Sequence, residues 1–117
     1  MKRKGTNAER ELMHKLWNQG FAVVRAAGSG STTLPNPDLF ASFEGKNYAI
    51  ECKCTKNKFI RIRREQLENL KIFSRRAGAK PIIAVKFINN GWRFYEANKL
   101  VLKYEEGVRS FYQKKLF

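Results

Sequence analysis

The chain has 117 residues, enough for one compact domain with a hydrophobic core, and we expect residues 1–117 to form a single domain. Lysine and arginine number 24 against 10 acidic residues, and the net charge of +14 indicates a polyanionic partner, with nucleic acid favoured over an anionic membrane surface. No apolar stretch approaches the roughly 20 residues of a membrane-spanning helix, and no signal-peptide pattern opens the chain, so we expect a soluble intracellular protein.

Residues for covalent or nucleotide chemistry are scarce. Cys52 and Cys54 are the only cysteines, which excludes a disulfide framework and a four-cysteine zinc site within one chain, and we interpret both as buried strand residues. His14, the only histidine, falls in a predicted helix and is expected at the surface. No Walker loop or dinucleotide fingerprint is present, so we expect no small-molecule cofactor.

The first third of the chain predicts a helix, a strand and a loop in that order. The helix spans residues 6–19 and stops at Gly20. Its apolar stripe consists of Ala8, Leu12, Met13, Leu16 and Trp17. Residues 21–26 predict a strand, and the small residues at 28–33 predict a mobile loop that ends in the stiffer segment 34–37.

A hairpin follows, with strands at residues 38–43 and 46–54 around Glu44-Gly45. Glutamate is not a favoured first residue of such a tight turn. A two-residue turn at Glu44-Gly45 places Asp38 opposite Glu51, whereas a turn at Gly45-Lys46 places it opposite Lys53. Either register puts these three side chains on one face of the hairpin, and a three-residue turn separates them.

The second half predicts a further helix and hairpin. Residues 59–63 alternate apolar and basic side chains, as in a short half-buried strand, and a helix is predicted at Arg64–Ala77. Strands at residues 81–88 and 92–96 are joined by Asn89-Asn90-Gly91, a strong hairpin pattern. Residues 104–117 are basic and aromatic, and both a terminal helix and a tail remain open. The order of elements predicts an α/β domain with a central mixed β-sheet flanked by helices.

The stripe of the second predicted helix leaves one apolar residue outside it. Leu67, Leu70, Phe73 and Ala77 share one side, and Ile72 lies off that side. Ile72, with Phe73 beside it, is therefore a candidate for contact with another chain.

Acidic residues are few in this basic chain, so carboxylates that cluster together are candidates for a functional site. Glu51 and Lys53 lie two residues apart in an otherwise apolar strand, and with Asp38 they project to one side. Two carboxylates with room for water suit Mg²⁺ or Mn²⁺, and a lysine beside them can orient water or stabilise charge on a phosphate. The alternative interpretation is a salt bridge between Glu51 and Lys53 on a solvated sheet.

Glu9 and two arginines have two interpretations each. Glu9 fits a capping box that begins at Thr6, and it also borders the apolar stripe, from where it could reach a metal ion. Arg25 continues the strand face of Phe21 and Val23, where a guanidinium is expected to pair with a carboxylate or a phosphate. Arg10 has the same two interpretations, pairing with a carboxylate or contact with a phosphate.

A dense basic segment follows the Glu51 strand. It contains Lys56, Lys58, Arg61, Arg63 and Arg64. We expect these side chains to contact the phosphate backbone of a nucleic acid, and a merely solvated charge run is the alternative.

The sequence resembles the archaeal-type Holliday junction resolvases, which are PD-(D/E)xK nucleases. The resemblance extends over most of the chain and rests on ordered segments. They are Lys4-Gly5-Thr6 with Glu9-Arg10-Glu11-Leu12, the run 20–25, the Gly-Ser loop, Pro37-Asp38, Glu51-Cys52-Lys53, the run 84–87 and Trp92-Arg93-Phe94. Cys52 departs from the aliphatic residue more usual there, and the segment after Tyr104 matches poorly.

The resemblance implies a restriction-endonuclease-like fold and a metal-dependent enzyme that resolves four-way DNA junctions by paired, symmetric cuts. It implies that Asp38 and Glu51 bind the metal, that Glu9 joins this site, and that Lys53 assists catalysis. Arg10, Arg25, Ser29 and Ser31 are implied to contact DNA or support the site. It also implies a homodimer that works on cytoplasmic DNA in recombination and repair. The alternatives are another nuclease of the same group and a non-catalytic basic nucleic-acid-binding protein.

Overall fold

The computed structural model describes residues 2–26, 34–100 and 108–109. Two helices, seven strands and a 3₁₀ helix lie in these residues. In chain order they are α1 Lys2–Asn18, β1 Ala22–Arg25, β2 Leu39–Phe43, β3 Lys46–Thr55, β4 Phe59–Ile60, α2 Arg64–Ala77, β5 Lys80–Phe87, β6 Gly91–Glu96, the 3₁₀ helix Ala97–Lys99 and β7 Val108–Arg109. The loop at residues 28–33 and most of residues 104–117 lie outside the described part of the chain.

Five strands form one mixed sheet in the order β1-β2-β3-β5-β6. β3 and β5 are parallel and are connected through α2, whereas the other neighbouring strands are antiparallel. The predicted central mixed sheet is therefore confirmed. β4 and β7 form a separate two-stranded sheet.

The two helices cover opposite faces of the sheet, so both faces are buried. The cluster on the α1 side contains Leu12, Leu16, Leu39, Ile50 and Ile82. The cluster on the α2 side contains Ala49, Leu67, Leu70, Ile83 and Val85. Neighbouring strand residues such as Ala49 and Ile50 enter different clusters because successive side chains of a strand point to opposite faces.

The first helix differs from its prediction at both ends. It begins at Lys2, so Thr6 lies inside the helix and is not its N-cap. Trp17 was assigned to the core stripe, and this was wrong, since its side chain is 63% exposed. Leu16 is buried against the sheet, and Trp17, rotated by about 100° around the helix axis, points away from that contact.

Glu11 fastens α1 to the β5–β6 hairpin. Its carboxylate accepts hydrogen bonds from Lys86 Nζ on β5 and, at 3.0 Å, from Trp92 Nε1 on β6. The bonds from Lys86 and Trp92 lower the pKa of Glu11. One carboxylate thus links the first helix to a hairpin far along the chain.

The second helix matches its predicted bounds, Arg64–Ala77. It ends at Gly78, whose φ of 64° is the left-handed conformation that glycine adopts without strain. Leu67 and Leu70 are buried as predicted, and Phe73 packs partly against the same cluster. Ser74, absent from the predicted stripe, is also buried.

The predicted strand at residues 59–63 is shorter than expected. β4 contains Phe59 and Ile60, which pair with Arg109 and Val108 of β7. The alternation nevertheless holds beyond the strand, since Ile60 and Ile62 are buried and Arg61 and Arg63 are exposed. Phe59 is the exception, with 43% of its surface exposed.

Across residues 2–26 and 34–100, no helix combines the length and apolar character needed to cross a membrane.

Candidate active site

The β2–β3 hairpin has the first of the predicted registers. Phe43 pairs with Lys46 and Leu39 with Ile50, so the turn consists of Glu44 and Gly45. Both turn residues have positive φ, 50° and 81°, the geometry that matches the twist of a tight hairpin. Continuing this ladder by one residue sets Asp38 opposite Glu51.

A hydrogen bond fixes the Asp38 carboxylate at the start of β2. The backbone N–H of Cys52 donates to Asp38 Oδ2 at 2.9 Å. Cys52 lies next to Glu51 in β3, so this bond ties the Asp38 side chain to the strand that carries the second carboxylate. Asp38, Glu51 and Lys53 share the α2 face, because the intervening Cys52 packs on the α1 side.

Burial and neighbouring negative charge disfavour the ionisation of both carboxyl groups. Burial and the neighbouring Asp38 charge raise the pKa of Glu51 to about 8. Burial also raises the pKa of Asp38, with a further contribution from the charge of Glu9, although the Cys52 N–H opposes the shift. A raised carboxylate pair of this kind is typical of a functional site, since both groups gain from a nearby cation.

Glu9 belongs to the same acidic neighbourhood. Arg25 Nε donates to Glu9 Oε1 at 2.9 Å, and the two side chains are only 22% and 18% exposed. The capping interpretation of Glu9 is wrong, because the helix begins before Thr6 and the carboxylate bonds to a strand residue. Its charge raises the pKa of both Asp38 and Glu51.

Lys53 contacts a residue that the sequence did not single out. Its Nζ donates to Gln66 Oε1 in the first turn of α2 at 3.2 Å. Nothing in the pattern of α2 marks Gln66, because it lies on the polar side of an ordinary amphipathic helix. The contact places the beginning of α2 beside the carboxylate pair.

The Asp38 and Glu51 carboxylates suit a hard divalent cation that retains several of its bound water molecules. Among the described residues, no three histidine, cysteine, aspartate or glutamate side chains converge closely enough to enclose a metal ion. Mg²⁺ is usually held by one or two carboxylates, water and substrate phosphate. Asp38 and Glu51, half-buried with raised pKa values, provide the carboxylate part of such a site.

The comparison with known proteins agrees with this arrangement. The sequence model of the archaeal Holliday junction resolvase (Hjc) matches residues 1–111. The chain belongs to this family. A crossover junction endodeoxyribonuclease Hjc from Archaeoglobus fulgidus is 41% identical over 86% of this chain and 74% of its own length. A protein of the same name from Methanocaldococcus jannaschii is 41% identical over 73% of this chain and 60% of its own length.

The fold agrees with a solved resolvase. The structure of Archaeoglobus fulgidus Hjc, a Holliday junction resolvase, superimposes with a TM-score of 0.82 at 34% identity, and the match covers 88% of this chain and 85% of that chain. The expected restriction-endonuclease-like fold is therefore confirmed.

Apart from Arg25, which is half-buried against Glu9, the predicted basic residues of this Hjc-family chain lie on its surface. Arg10 is exposed on α1, and the segment from β3 to α2 exposes all five predicted cations, Lys56, Lys58, Arg61, Arg63 and Arg64. Ser29 and Ser31 lie outside the described residues. His14 is exposed, as expected.

The predictions for the two cysteines and for the candidate interface residues have different outcomes. Cys52 and Cys54 are free and only half-buried, so the expectation of burial is met in part. Burial raises the pKa of the Cys52 thiol. Ile72 is half-buried and belongs to neither core cluster, whereas Phe73 packs against the α2-side cluster.

Proposed function

We propose that this protein is a structure-selective endonuclease that resolves four-way DNA junctions by paired, symmetric, metal-dependent hydrolysis of phosphodiester bonds. The observation that carries the proposal is the Asp38–Glu51 pair, held on one face of the β2–β3 hairpin in a chain of the Hjc family. The relatives named crossover junction endodeoxyribonuclease support the choice of substrate.

Asp38 and Glu51 would hold Mg²⁺ or Mn²⁺, and Glu9 would join them from α1. When bound, such an ion would supply Lewis-acid activation of the scissile phosphate and would lower the pKa of a bound water. Glu9 is already engaged by Arg25 at 2.9 Å, so we assign it an approach through water rather than a direct bond to the ion.

Lys53 assists the chemistry in this proposal. It lies two residues from Glu51 on the same face of β3, where its ammonium can orient the attacking water or stabilise the charge that develops on the phosphate. Hydrolysis then joins the water oxygen to phosphorus as one P–O ester bond breaks, the water gives up a proton, and the departing oxygen takes up a proton to become a hydroxyl group.

The DNA would approach along the exposed basic surface. Gln66 brings the beginning of α2 next to Lys53, and the basic segment 56–64 leads directly into that helix. Phosphates bound by Lys56, Lys58, Arg61, Arg63 and Arg64 would therefore lie beside the carboxylates. Arg10, Arg25 and the serines Ser29 and Ser31 complete the proposed DNA contacts.

We propose that the working form is a homodimer, since a junction with two-fold symmetry suits two identical sites. Apolar surface on the α2 side supports this. Val24 is 64% exposed on edge strand β1 and pairs with Phe40, whose ring lies edge-on to Phe73 at 6.2 Å. Ile72 is a candidate for the same interface. Ile72→Lys should produce monomers in sedimentation, whereas an unchanged sedimentation coefficient would remove Ile72 from the interface.

The proposal also treats residues 1–117 as one nuclease domain that acts on DNA in the cytoplasm. A different nuclease of the same group would share the site but not the substrate. A binding protein would have the basic surface without cutting.

The test is incubation with a labelled immobile four-way junction and a matching linear duplex, in Mg²⁺ or EDTA. Paired symmetric nicks in the junction alone, abolished by EDTA, are the expected result. Cutting of both DNAs would replace the proposal with a general nuclease, and binding without cutting in Mg²⁺ would replace it with a binding protein.

A further inference from the structure

Gln66 occupies a helix position whose side chain often caps the N-terminus of its own helix. It is the third residue of α2, after the N-cap Arg63, and glutamine at this position commonly bonds back to the N-cap backbone. Here its amide oxygen accepts a hydrogen bond from Lys53 Nζ at 3.2 Å instead. Arg63 makes no capping hydrogen bond with its own side chain either. The beginning of α2 therefore lacks both halves of a capping box.

The contact joins two elements that the core holds rigidly. Lys53 is on β3, next to the parallel strand β5 at Val85. Gln66 is followed at once by Leu67, which is buried against the sheet. A lysine side chain has four rotatable bonds and would otherwise sample many conformations. Holding it in one conformation before the reaction reduces the conformational entropy that is lost when the ammonium group takes part in cutting.

An amide differs from a carboxylate as a partner of an ammonium group. Its oxygen accepts one hydrogen bond without cancelling the positive charge, and the ammonium keeps two further N–H groups. A glutamate at the same position would form an ion pair and add negative charge where a phosphate must approach. Glu65 lies next to Gln66 in the same first turn, and its carboxylate is exposed. The residue that contacts Lys53 is therefore the neutral amide and not the neighbouring carboxylate.

We propose that Gln66 is a positioning residue, which holds the Lys53 ammonium over the carboxylate face while leaving its charge free for the DNA phosphate. This inference rests on the proposed function, because it assigns Gln66 to the reaction through Lys53. Its effect belongs to the cutting step and not to DNA affinity.

The experiment compares Gln66→Met, Gln66→Glu and the control Asn69→Ala in the full chain. Methionine keeps the length and helix preference of glutamine but cannot accept the bond strongly. Asn69 is an exposed amide on the same helix. The single-turnover cutting rate and the junction Kd are measured separately, with melting temperature as the check on folding.

Gln66→Met should cut about 10-fold more slowly with an unchanged Kd and melting temperature, because a catalytic group has lost its orientation. Gln66→Glu should weaken junction binding as well as slow cutting. Asn69→Ala should match the wild type in cutting rate and Kd, and its melting temperature should be equal or slightly higher because alanine is the better helix former. Equal cutting by Gln66→Met and the wild type, or equal slowing by Asn69→Ala, would overturn the inference.

Trace acetylation of lysines, followed by mass spectrometry, tests the contact independently of cutting. Lys53 should react faster in Gln66→Met than in the wild type, whereas the exposed Lys80 should react equally in both. If the wild type cuts no junction, the proposed function fails and the catalytic part of the inference fails with it. If the wild type cuts and Lys53 reactivity is unchanged, only the role of Gln66 is overturned.

Discussion

The backbone N–H of Cys52 donates to Asp38 Oδ2 at 2.9 Å, so a carboxylate at the start of one strand is held by the strand that carries Glu51. Removing the charge of Asp38 while keeping an acceptor separates catalysis from folding. We expect Asp38→Asn to cut junctions more than about 100-fold more slowly, because a proposed metal ligand is lost. Junction binding should persist or tighten, since one charge that repels phosphate is gone.

The same variant should be more stable than the wild type in EDTA at neutral pH. The charge of Asp38 raises the pKa of Glu51, and its removal relieves that repulsion. Thermal melting measures the change, with Glu68→Gln as a control because Glu68 is an exposed carboxylate on α2. A fall in melting temperature with normal cutting would mean that Asp38 is structural.

The stability of the metal-free protein should depend on the ionisation of Glu51. Its folded pKa of about 8 lies above the ordinary 4.5, so between these values the native state binds more protons than the unfolded state. Stability from this group therefore falls as pH rises from about 4.5 to about 8 and is level above that range. Melting in EDTA across this range should show a shallower decline for Glu51→Gln. Parallel curves for the two proteins would contradict the assignment.

The ion pair between Glu9 and Arg25 should contribute to stability and to DNA binding. Arg25→Gln leaves a half-buried carboxylate without its partner, and we expect the free energy of unfolding to fall by about 1–3 kcal/mol. The slope of log K against log salt for junction binding should decrease by about one. Denaturant titration and binding at several salt concentrations measure the two effects. An unchanged salt slope would restrict Arg25 to a structural role.

Charge on the segment before α2 should matter more than charge at the end of that helix. Replacing Arg61 and Arg63 together by glutamine should weaken junction binding and lower the salt slope by about two. Arg75 and Arg76 are exposed in the last turn of α2, and their double replacement is a control of equal charge. Equal losses in both pairs would indicate a general effect of net charge and not a defined DNA path.

Ser74 offers a prediction about stability alone. Its side chain is 1% exposed, and its Oγ has no hydrogen-bond partner among the described residues. A buried hydroxyl without a partner destabilises a fold by about 1–3 kcal/mol, and alanine is also the better helix former. Ser74→Ala should therefore raise the melting temperature and leave cutting unchanged. A lower melting temperature would show that the hydroxyl is satisfied in solution.

Local sequence patterns determined most of the elements and the composition of the candidate site. Strand alternation was sufficient to put Glu51 and Lys53 on one face. The hairpin at Glu44-Gly45 was also predicted, but the structure decided between its two registers and thereby set Asp38 opposite Glu51. The extent of α2 followed from its apolar spacing, and the structure shows that the helix ends at Gly78. These features depend on residues close together in the chain, whose geometry is limited by the repeats of helix and strand.

Only the tertiary structure decided which distant residues complete the site. The sequence around Glu9 fitted a capping box, but the helix begins earlier, at Lys2. The Glu9 carboxylate instead accepts a hydrogen bond from Arg25 on β1. Gln66 had no distinguishing pattern, because its role follows from the position of α2 against β3. Burial and the charges of neighbouring carboxylates raise the pKa values of Asp38 and Glu51. Desolvation and Coulomb forces depend on distances through space, and a linear pattern does not contain them.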